Sequence, residues 1–248
     1  PIIDIKGIKY FNPLFLNPKD ARPVSYWCYE LTKENLWIAM VGIIADHFLE
    51  HFKEFSKKYP DLIKYNIKEP FDLVFNTKFG ILIMLFGFVL KGKAKEVKKS
   101  IEILTKIKSP YEILNQTTPE GNYLFKRFEK INNEYKEISN DSLKNSIITK
   151  NILLYTYSAK KTSFTTELAN ELIYRFKDKL IIIAREKSDM MKISLRTYHK
   201  SKIILPPLID KAIIGLRGTS GGHGHACGGD INKEDFRTFV DRLEHLIK

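Results

Sequence analysis

The pattern of apolar and polar positions is clearest in the second half of the chain. Residues 152–157 and 180–184 are apolar runs of strand length, and residues 163–176 between them repeat apolar positions with the helical period. A strand, a helix and a strand in that order predict a βαβ unit with parallel strands and a right-handed crossover. Three further elements are predicted after it: a strand at 192–196, a helix at 206–215 and a last strand at 226–231.

The last segment of the chain predicts an amphipathic helix. Asn232 is suited to cap its beginning, because an asparagine side chain accepts a hydrogen bond from a free backbone N–H of the first turn. The apolar residues behind it follow one helical stripe: Phe236, Phe239, Val240, Leu243, Leu246 and Ile247.

The first ninety residues predict a short β segment followed by helices. Residues 2–10 are rich in β-forming residues and lead into an Asn-Pro turn at Asn12 and Pro13. Two helices are predicted next, the second ending at Asp46. Residues 79–90 are a continuous run of apolar residues and glycine, but they are too short for the roughly 20 residues that span a membrane. We therefore predict a buried core helix there.

His47 and His51 follow Asp46 and lie four residues apart. If the helix continues, both histidines lie on one face, where a pair of imidazoles is a candidate for binding a metal. The alternative is an amphipathic helix with its apolar side made by Phe48, Phe52 and Phe55 and the histidines at its edge.

Residues 91–150 predict a helical connector. Its first part, residues 91–108, is rich in lysine, and a long charged helix is predicted at 120–138, with the polar residues 139–142 breaking the pattern. The whole chain is therefore predicted to be α/β with two lobes, a mostly helical one and one built on a mixed sheet with a βαβ unit. The predicted division is 1–90, 91–150 and 151–248.

The net charge of the chain indicates what kind of partner it binds. The chain has 41 Lys and Arg against 29 Asp and Glu, a formal net charge of +12, which favours a polyanionic partner such as nucleic acid. Two distant cysteines, Cys28 and Cys227, give no disulfide framework and suit a reducing cytoplasm.

The strongest candidate for chemistry is the glycine-rich stretch at residues 218–230, which holds six of the 13 glycines and the histidines His223 and His225. Glycines permit positive φ and close approach of the backbone, so consecutive N–H groups are able to form a nest for an anion. The alternatives are a flexible loop and a zinc site made by His223, His225 and Cys227. Zinc is disfavoured, because three ligands crowd into five residues without a second cluster.

The same residues carry a family resemblance. Gly221, Gly222 and His223, with the Ala-Cys-Gly that follows at 226–228, resemble the Gly-Gly-His-x-x-Ala-x-Gly signature of the DHH-associated domain of RecJ-like DHH phosphoesterases. Ser194 and Arg196 resemble the x-x-Ser-x-Arg strand of that domain. Residues 43–46 resemble the last metal-binding motif of the DHH domain, and residues 10–13 resemble a segment that follows Asp-His-His in archaeal members.

The resemblance implies roles for particular residues. Asp46 would be a catalytic metal ligand, and a group of six would bind the substrate: Ser194, Arg196, Gly221, Gly222, His223 and His225. The family hydrolyses phosphodiesters with two divalent ions, and an oxygen-rich site suits manganese or magnesium. The other ligands belong to an Asp-x-Asp, an isolated Asp and the Asp-His-His, which lie upstream of the first residue here. This chain alone is therefore expected to be catalytically incomplete.

Three functions remain open. The first is the substrate-binding C-terminal portion of a RecJ-like nuclease that acts on single-stranded DNA or RNA and receives its missing half from a separate polypeptide. The second is a non-catalytic module associated with the GINS complex of the archaeal replisome. The third is a phosphodiesterase for oligonucleotides or cyclic dinucleotides.

Overall fold

The computed structural model describes residue 7 and residues 10–63, 66–158 and 162–247. The chain forms two compact units: a helical unit of Pro1–Leu90 and Lys98–Phe125, and a sheet unit of Lys91–Val97 and Lys126–Lys248. The division of the sequence at residues 90 and 150 stays a prediction. The predicted β segment at 2–10 lies outside the described residues except for Gly7 and Tyr10.

The helical unit is built on an apolar core. Its helices are α1 (Val24–Thr32), α2 (Leu36–Ala45), α3 (Phe52–Lys58), α4 (Pro70–Asn76), α5 (Lys78–Val89) and α7 (Pro110–Leu114), and two 3-10 helices lie at Pro13–Phe15 and Pro60–Ile63. Helices α6 (Ala94–Leu104) and α8 (Pro119–Asn145) contribute residues to both units. Trp37, Met40 and Ile44 of α2 are almost fully buried, as are Phe79 and Phe88 of α5. Burial on this scale is the main favourable term in folding.

The apolar run at 79–90 is a core helix, as predicted. Thr77 caps α5 by accepting a hydrogen bond from the Gly80 N–H at 3.2 Å. No single helix in the described ranges has the length and apolar character needed to cross a membrane; only α4 and α5 taken together meet that test, and the chain bends by 87° between them.

Helix α8 is longer than the sequence predicts. It was expected to end near Ile138 and to break at residues 139–142, but it runs to Asn145. The two serines in the expected break are buried and hydrogen-bonded: the Ser139 hydroxyl donates to the Glu171 carboxylate at 3.1 Å, and the Ser142 hydroxyl donates to the Ser139 carbonyl at 2.7 Å. Tertiary contacts thus outweigh the weak helix propensity of these residues.

The sheet unit holds one mixed sheet of six strands in its described part. The strands are β1 (Ile147–Ile148), β2 (Ile152–Ser158), β3 (Leu180–Lys187), β4 (Met190–Arg196), β5 (Gly218–His223) and β6 (Ala226–Asn232), in the spatial order β1-β2-β3-β4-β6-β5. Strands β2 and β3 are parallel and joined by α9 (Thr165–Arg175), so the predicted βαβ unit is confirmed. The remaining pairs are antiparallel. The predicted α/β class is confirmed.

Two further helices complete the sheet unit. Helix α10 is Leu205–Ala212 and helix α11 is Phe236–Leu246. The predicted cap of the last helix is wrong in detail: Asn232 is the last residue of β6, where its side chain accepts from the Glu234 N–H at 3.1 Å, and Asp235 occupies the cap position.

The two faces of the sheet differ in what covers them. One face packs its apolar side chains, including Leu195, Cys227 and Ile231, against α10 and α11 in a single buried cluster. The other face packs against α9 over β3 and β4. On that second face, β6 and β5 extend past α9 to the edge of the sheet, and their short side chains leave it open.

Candidate functional site

The glycine-rich stretch forms a β-hairpin rather than an anion-binding nest. Residues 218–223 are paired with residues 226–231 along their whole length, from Gly218 opposite Ile231 to His223 opposite Ala226. A nest needs a succession of helical and left-handed conformations, whereas residues in paired strands are extended and point alternately to opposite faces. The nest hypothesis for this stretch is therefore wrong.

The hairpin nevertheless brings most of the motif residues together. Ser194 of β4 lies opposite Gly228 of β6, which lies opposite Gly221 of β5. Strands lie about 4.8 Å apart, so this row makes a side-chain-poor floor roughly 10 Å wide. We call the Ser194–Gly228–Gly221 row the glycine floor. A methyl group added to Gly221 would have nothing within 4 Å, so the floor is open above β5.

Arg196 lies at one border of the glycine floor. It is opposite Ala226, which pairs with His223, so Arg196 and His223 belong to one row. The Arg196 Nε donates to the Asn170 side-chain oxygen of α9 at 2.9 Å, which places the guanidinium on the α9 face. Its Nη1 donates to two main-chain carbonyls, of Leu195 at 2.8 Å and of Cys227 at 3.2 Å.

Three hydrogen bonds hold the guanidinium of Arg196 in place, and none of them is to a carboxylate of the described residues. Burial lowers the pKa of Arg196 from its ordinary high value, which leaves it protonated. All the hydrogen-bond acceptors it has in the described part of the chain are neutral. Since Nε and Nη1 are engaged, Nη2 is the nitrogen left for a ligand, and the bidentate grip expected of this residue becomes a single contact.

The two histidines of the motif have different surroundings. His223 is exposed at the end of β5 and faces the same side as Arg196. His225 lies in the turn between β5 and β6, where its Nδ1 is 3.0 Å from the Thr197 hydroxyl and its carbonyl accepts from the Thr197 N–H at 3.1 Å. His225 thus fixes the turn, whereas His223 presents its ring on the open face.

Gly222 lies in the row that faces away from the glycine floor. It pairs with Cys227, which is buried against α10 and α11 with Leu195. Gly222 has a φ of +152°, and a Cβ there would lie 2.3 Å from the Ala226 carbonyl oxygen. The need for glycine at this position is structural. Cys227 and His223 face opposite sides of the hairpin, so the three residues considered for zinc do not converge on one point.

The opposite border of the glycine floor is a polar cluster that the sequence did not single out. Lys192, Asp230 and Thr219 form the next row on the same face. Lys192 makes a salt bridge with Asp230, and the Thr219 hydroxyl donates to Asp230 at 2.9 Å. The hydrogen bond from Lys192 lowers the pKa of Asp230. Spacing along each strand predicts only which side chains share a face, and the row itself depends on which strands are neighbours.

Several other residues of the sheet unit have structural partners. Arg217 is paired with Glu234 at 2.7 Å and Asp235 at 2.8 Å. Tyr155 is buried and donates to Asp141 at 2.6 Å. Tyr157 is buried as well and accepts from the Phe164 N–H at 2.8 Å. Tyr198 is partly exposed.

Asp46 occupies the end of α2, as predicted, and is exposed. Desolvation by the surrounding protein raises the pKa of its carboxyl group. A metal pair needs several ligands, and within the described ranges no cluster of ligand residues forms around Asp46. The side chains present therefore do not fit a complete two-metal centre.

His47 and His51 do not share a helical face. Helix α2 ends at Ala45 and α3 begins at Phe52, and both histidines have left-handed backbone conformations, with φ of 67° and 60°. The His47 ring packs 4.4 Å from the Phe71 ring, and the His51 ring stacks 5.4 Å from the Tyr26 ring. The continuous helix expected through them is wrong.

Comparison with known proteins gives one family match and several structures with a similar fold. Residues 149–248 match the family described as the DHHA1 domain. RecJ from Thermus thermophilus in complex with Mn²⁺ is 14% identical over 85% of this chain and 32% of that chain, with a TM-score of 0.57. PggH, a pGpG-specific phosphodiesterase from Vibrio cholerae, is 14% identical over 93% of this chain and 73% of that chain, with a TM-score of 0.51.

Residues 149–248 thus match the DHHA1 domain, and the chain is similar in fold to part of RecJ and to PggH. A second RecJ, an exonuclease bound to manganese, is 14% identical with a TM-score of 0.50, over 84% of this chain and 53% of that chain. The chain thus spans about one third to one half of the RecJ chains. No curated protein matches it by sequence.

Proposed function

We propose that this chain is the substrate-binding portion of a RecJ-like, metal-dependent phosphodiesterase that acts on single-stranded nucleic acid. The observation that carries the proposal is Arg196, a partly buried cation with neutral hydrogen-bond acceptors, beside exposed His223 and the open glycine floor. Nη2 of Arg196 donates to no acceptor within the described residues, so an anion there would gain a charge-assisted hydrogen bond, and such bonds are strong.

A phosphodiester fits this surface better than a compact anion does. The glycine floor lets a sugar–phosphate backbone approach the sheet closely, because no side chain rises from Gly221. The chain's net charge of +12 also favours a polyanion.

We further propose that the metal ligands other than Asp46 come from a separate polypeptide. The ligand set present in the described residues is incomplete. The helical unit also exposes large apolar side chains near its start: Phe15 at 56%, Leu16 at 79%, Val24 at 78% and Leu31 at 82%. Exposed apolar residues of this size are candidates for contact with a partner.

The test is the affinity for labelled single-stranded oligonucleotides of Arg196→Gln, His223→Ala and the double variant. Each single change removes one hydrogen bond to the same phosphate, so we expect a loss of about 1–3 kcal/mol for Arg196 and less for His223. Because the two side chains share one ligand, the double variant should depart from the sum of the singles.

The matched control is Arg237→Gln. Arg237 is equally cationic but lies on α11, against the other face of the sheet, in an ion pair with Asp241. The Arg237→Gln variant should bind the oligonucleotides as tightly as the parent does. Circular dichroism should show that all variants are folded. Parental affinity in both Arg196→Gln and His223→Ala would rule out the proposed phosphate site.

A second candidate function is hydrolysis of very short oligonucleotides, favoured by the likeness to PggH over 73% of that chain. The two functions differ in the length of strand that the site needs. If a dinucleotide competes as well as a strand of ten nucleotides at equal concentration, the small substrate is preferred. A strong advantage of the longer strand supports the nuclease.

A further inference from the structure

The segment between β4 and α10, residues 197–204, adjoins the Arg196 border of the glycine floor. Two backbone hydrogen bonds attach it to the turn of the β5–β6 hairpin. The Thr197 N–H donates to the His225 carbonyl at 3.1 Å, and the Leu205 N–H donates to the Gly224 carbonyl at 2.7 Å. The Thr197 hydroxyl also lies 3.0 Å from the His225 ring. The segment therefore begins directly beside the row that holds Arg196 and His223.

Two rings project from this segment. The centroids of Tyr198 and His199 are 4.3 Å apart with an interplanar angle of 57°. Tyr198 is partly exposed and His199 is exposed. The Lys177 Nζ lies 4.8 Å from the Tyr198 centroid and 5.2 Å from that of Tyr174, a residue of α9. The shared lysine places Tyr198 on the α9 side of the sheet, which is also the side of the glycine floor.

The charged residues in the sequence around the two rings have one sign. From residue 190 to residue 209 the sequence has four cationic residues, Lys192, Arg196, Lys200 and Lys202, and no Asp or Glu. Lys200 and Lys202 are exposed. Aromatic rings interleaved with cations are the combination that binds single strands, in which rings stack on bases and cations follow the phosphates.

We propose that the Tyr198–His199 pair is a stacking subsite for the nucleobase adjacent to the phosphate held by Arg196 and His223. This inference rests on the proposed function, because its ligand is the single-stranded nucleic acid of that proposal. A base in a duplex has both faces covered by its neighbours, so the subsite selects an unpaired base. Lys200 and Lys202 then lie where the strand continues past the rings.

The experiment measures the affinity of Tyr198→Leu and His199→Ala for fluorescent strands of thymidines and of uridines. Leucine keeps an apolar side chain at the partly buried position 198. Tyr174→Leu is the matched control, since Tyr174 also contacts Lys177 but lies on α9. Losing a stacked base should weaken binding of both strands by about 5- to 100-fold in the ring variants, while the control binds like the parent.

A strand of equal length with abasic sugars separates stacking from charge. Parent and ring variants should bind it equally, because it has no base to stack. Equal binding of the thymidine strand by parent and ring variants overturns the inference, and so does an equal loss for thymidine and abasic strands.

The same measurements distinguish this inference from the proposed function. If Arg196→Gln weakens binding and Tyr198→Leu does not, the phosphate site stands and the stacking subsite is wrong. If the parent binds none of the strands, both are wrong.

Discussion

Gly221 and Gly222 are neighbours that need to be glycine for different reasons. At Gly222 a side chain would meet the Ala226 carbonyl oxygen at 2.3 Å and the Cys227 Cα at 2.6 Å, and the φ of +152° is unfavourable to other residues. At Gly221 a Cβ would meet nothing within 4 Å. The fold itself therefore requires glycine at position 222, whereas position 221 requires glycine only if a ligand covers it.

We therefore expect opposite results from alanine at these positions. Gly222→Ala should lower the free energy of unfolding by about 1–3 kcal/mol through backbone strain, as measured in urea. Gly221→Ala should leave the unfolding free energy within about 1 kcal/mol of the parent, yet weaken single-strand binding, because its methyl group stands on the glycine floor. If Gly221→Ala binds at full affinity, no ligand backbone lies over β5.

A second prediction at this scale concerns pH. The side-chain hydrogen bond from Arg217 lowers the pKa of Asp235 to about 2, below the 3.8 of an ordinary aspartate. The stabilisation from a depressed carboxylate is present above the unfolded pKa and lost as the pH falls through the folded pKa. Asp235→Asn should therefore lower the melting temperature at pH 6 and have a vanishing effect towards pH 2.

Its control is a thermodynamic cycle with Arg217→Gln. If the pair is responsible, either single change should lower the melting temperature at pH 6, and the double variant should be little worse than either single. An Asp235→Asn effect of the same size at pH 6 and pH 2 would show that the ion pair is not its origin.

The spacing of the motif residues along the sequence predicts part of the site geometry. Ser194 and Arg196 are two apart in one strand, and Gly221 and His223 are two apart in another, so alternation predicts that each pair shares a face. Which strands would be neighbours depends on contacts between distant residues, so the Lys192–Asp230–Thr219 row could not be anticipated. The engagement of Arg196 by Asn170 likewise depends on where α9 packs.

At the scale of elements, the sequence predicts apolar segments well and polar ones poorly. The βαβ unit, the core helix α5 and the last helix have strong periodic patterns, and all three are confirmed. The glycine, serine and threonine residues of β5 lack an apolar pattern, so the sequence does not predict this strand, and its pairing with β6 decides its conformation instead. Helix α8 likewise continues through a polar stretch because of contacts made across the sheet unit.

Those contacts converge on Glu171 of α9, which is buried. Its carboxylate accepts from the Tyr135 hydroxyl at 2.5 Å, from the Ser139 hydroxyl at 3.1 Å and from Arg175 at 2.7 Å. Burial raises the pKa of Tyr135 well above its ordinary value, so its hydroxyl remains a donor. Hydrogen bonds from two residues of α8 thus hold this part of the helix to α9.

Tyr135→Phe should lower the free energy of unfolding by about 1.5–3 kcal/mol, since it removes a hydrogen bond to a buried charge while keeping the ring. Urea denaturation followed by circular dichroism measures it. Tyr123→Phe is the matched control on the same helix, because no protein hydrogen bond of its hydroxyl is found in the described part of the chain. Equal stability of Tyr135→Phe and Tyr123→Phe would mean that the network contributes nothing to the docking of α8.

At the scale of the whole molecule, binding and catalysis are expected to separate. The purified chain should bind single strands but should not cleave them with manganese or magnesium, because its ligand set within the described residues is incomplete. Denaturing gels of a labelled strand, with and without added metal, measure this. Robust metal-dependent cleavage that co-purifies with the chain and is lost in Asp46→Asn would contradict the expectation of a separate catalytic partner.

Salt dependence separates the charged and uncharged parts of the proposed grip. Each phosphate neutralised on a single strand contributes about 0.7 to the slope of log K against log salt, because a counterion is released. Arg196→Gln should therefore reduce the magnitude of the slope by about 0.7 as well as the affinity.

Gly221→Ala should weaken binding at every salt concentration with the slope unchanged, since a methyl group obstructs the backbone without altering charge. Affinities of the parent and both variants at several salt concentrations give the three slopes. If Arg196→Gln keeps the parental slope, Arg196 does not contact a phosphate, and its burial against Asn170 serves only the packing of α9 on the sheet.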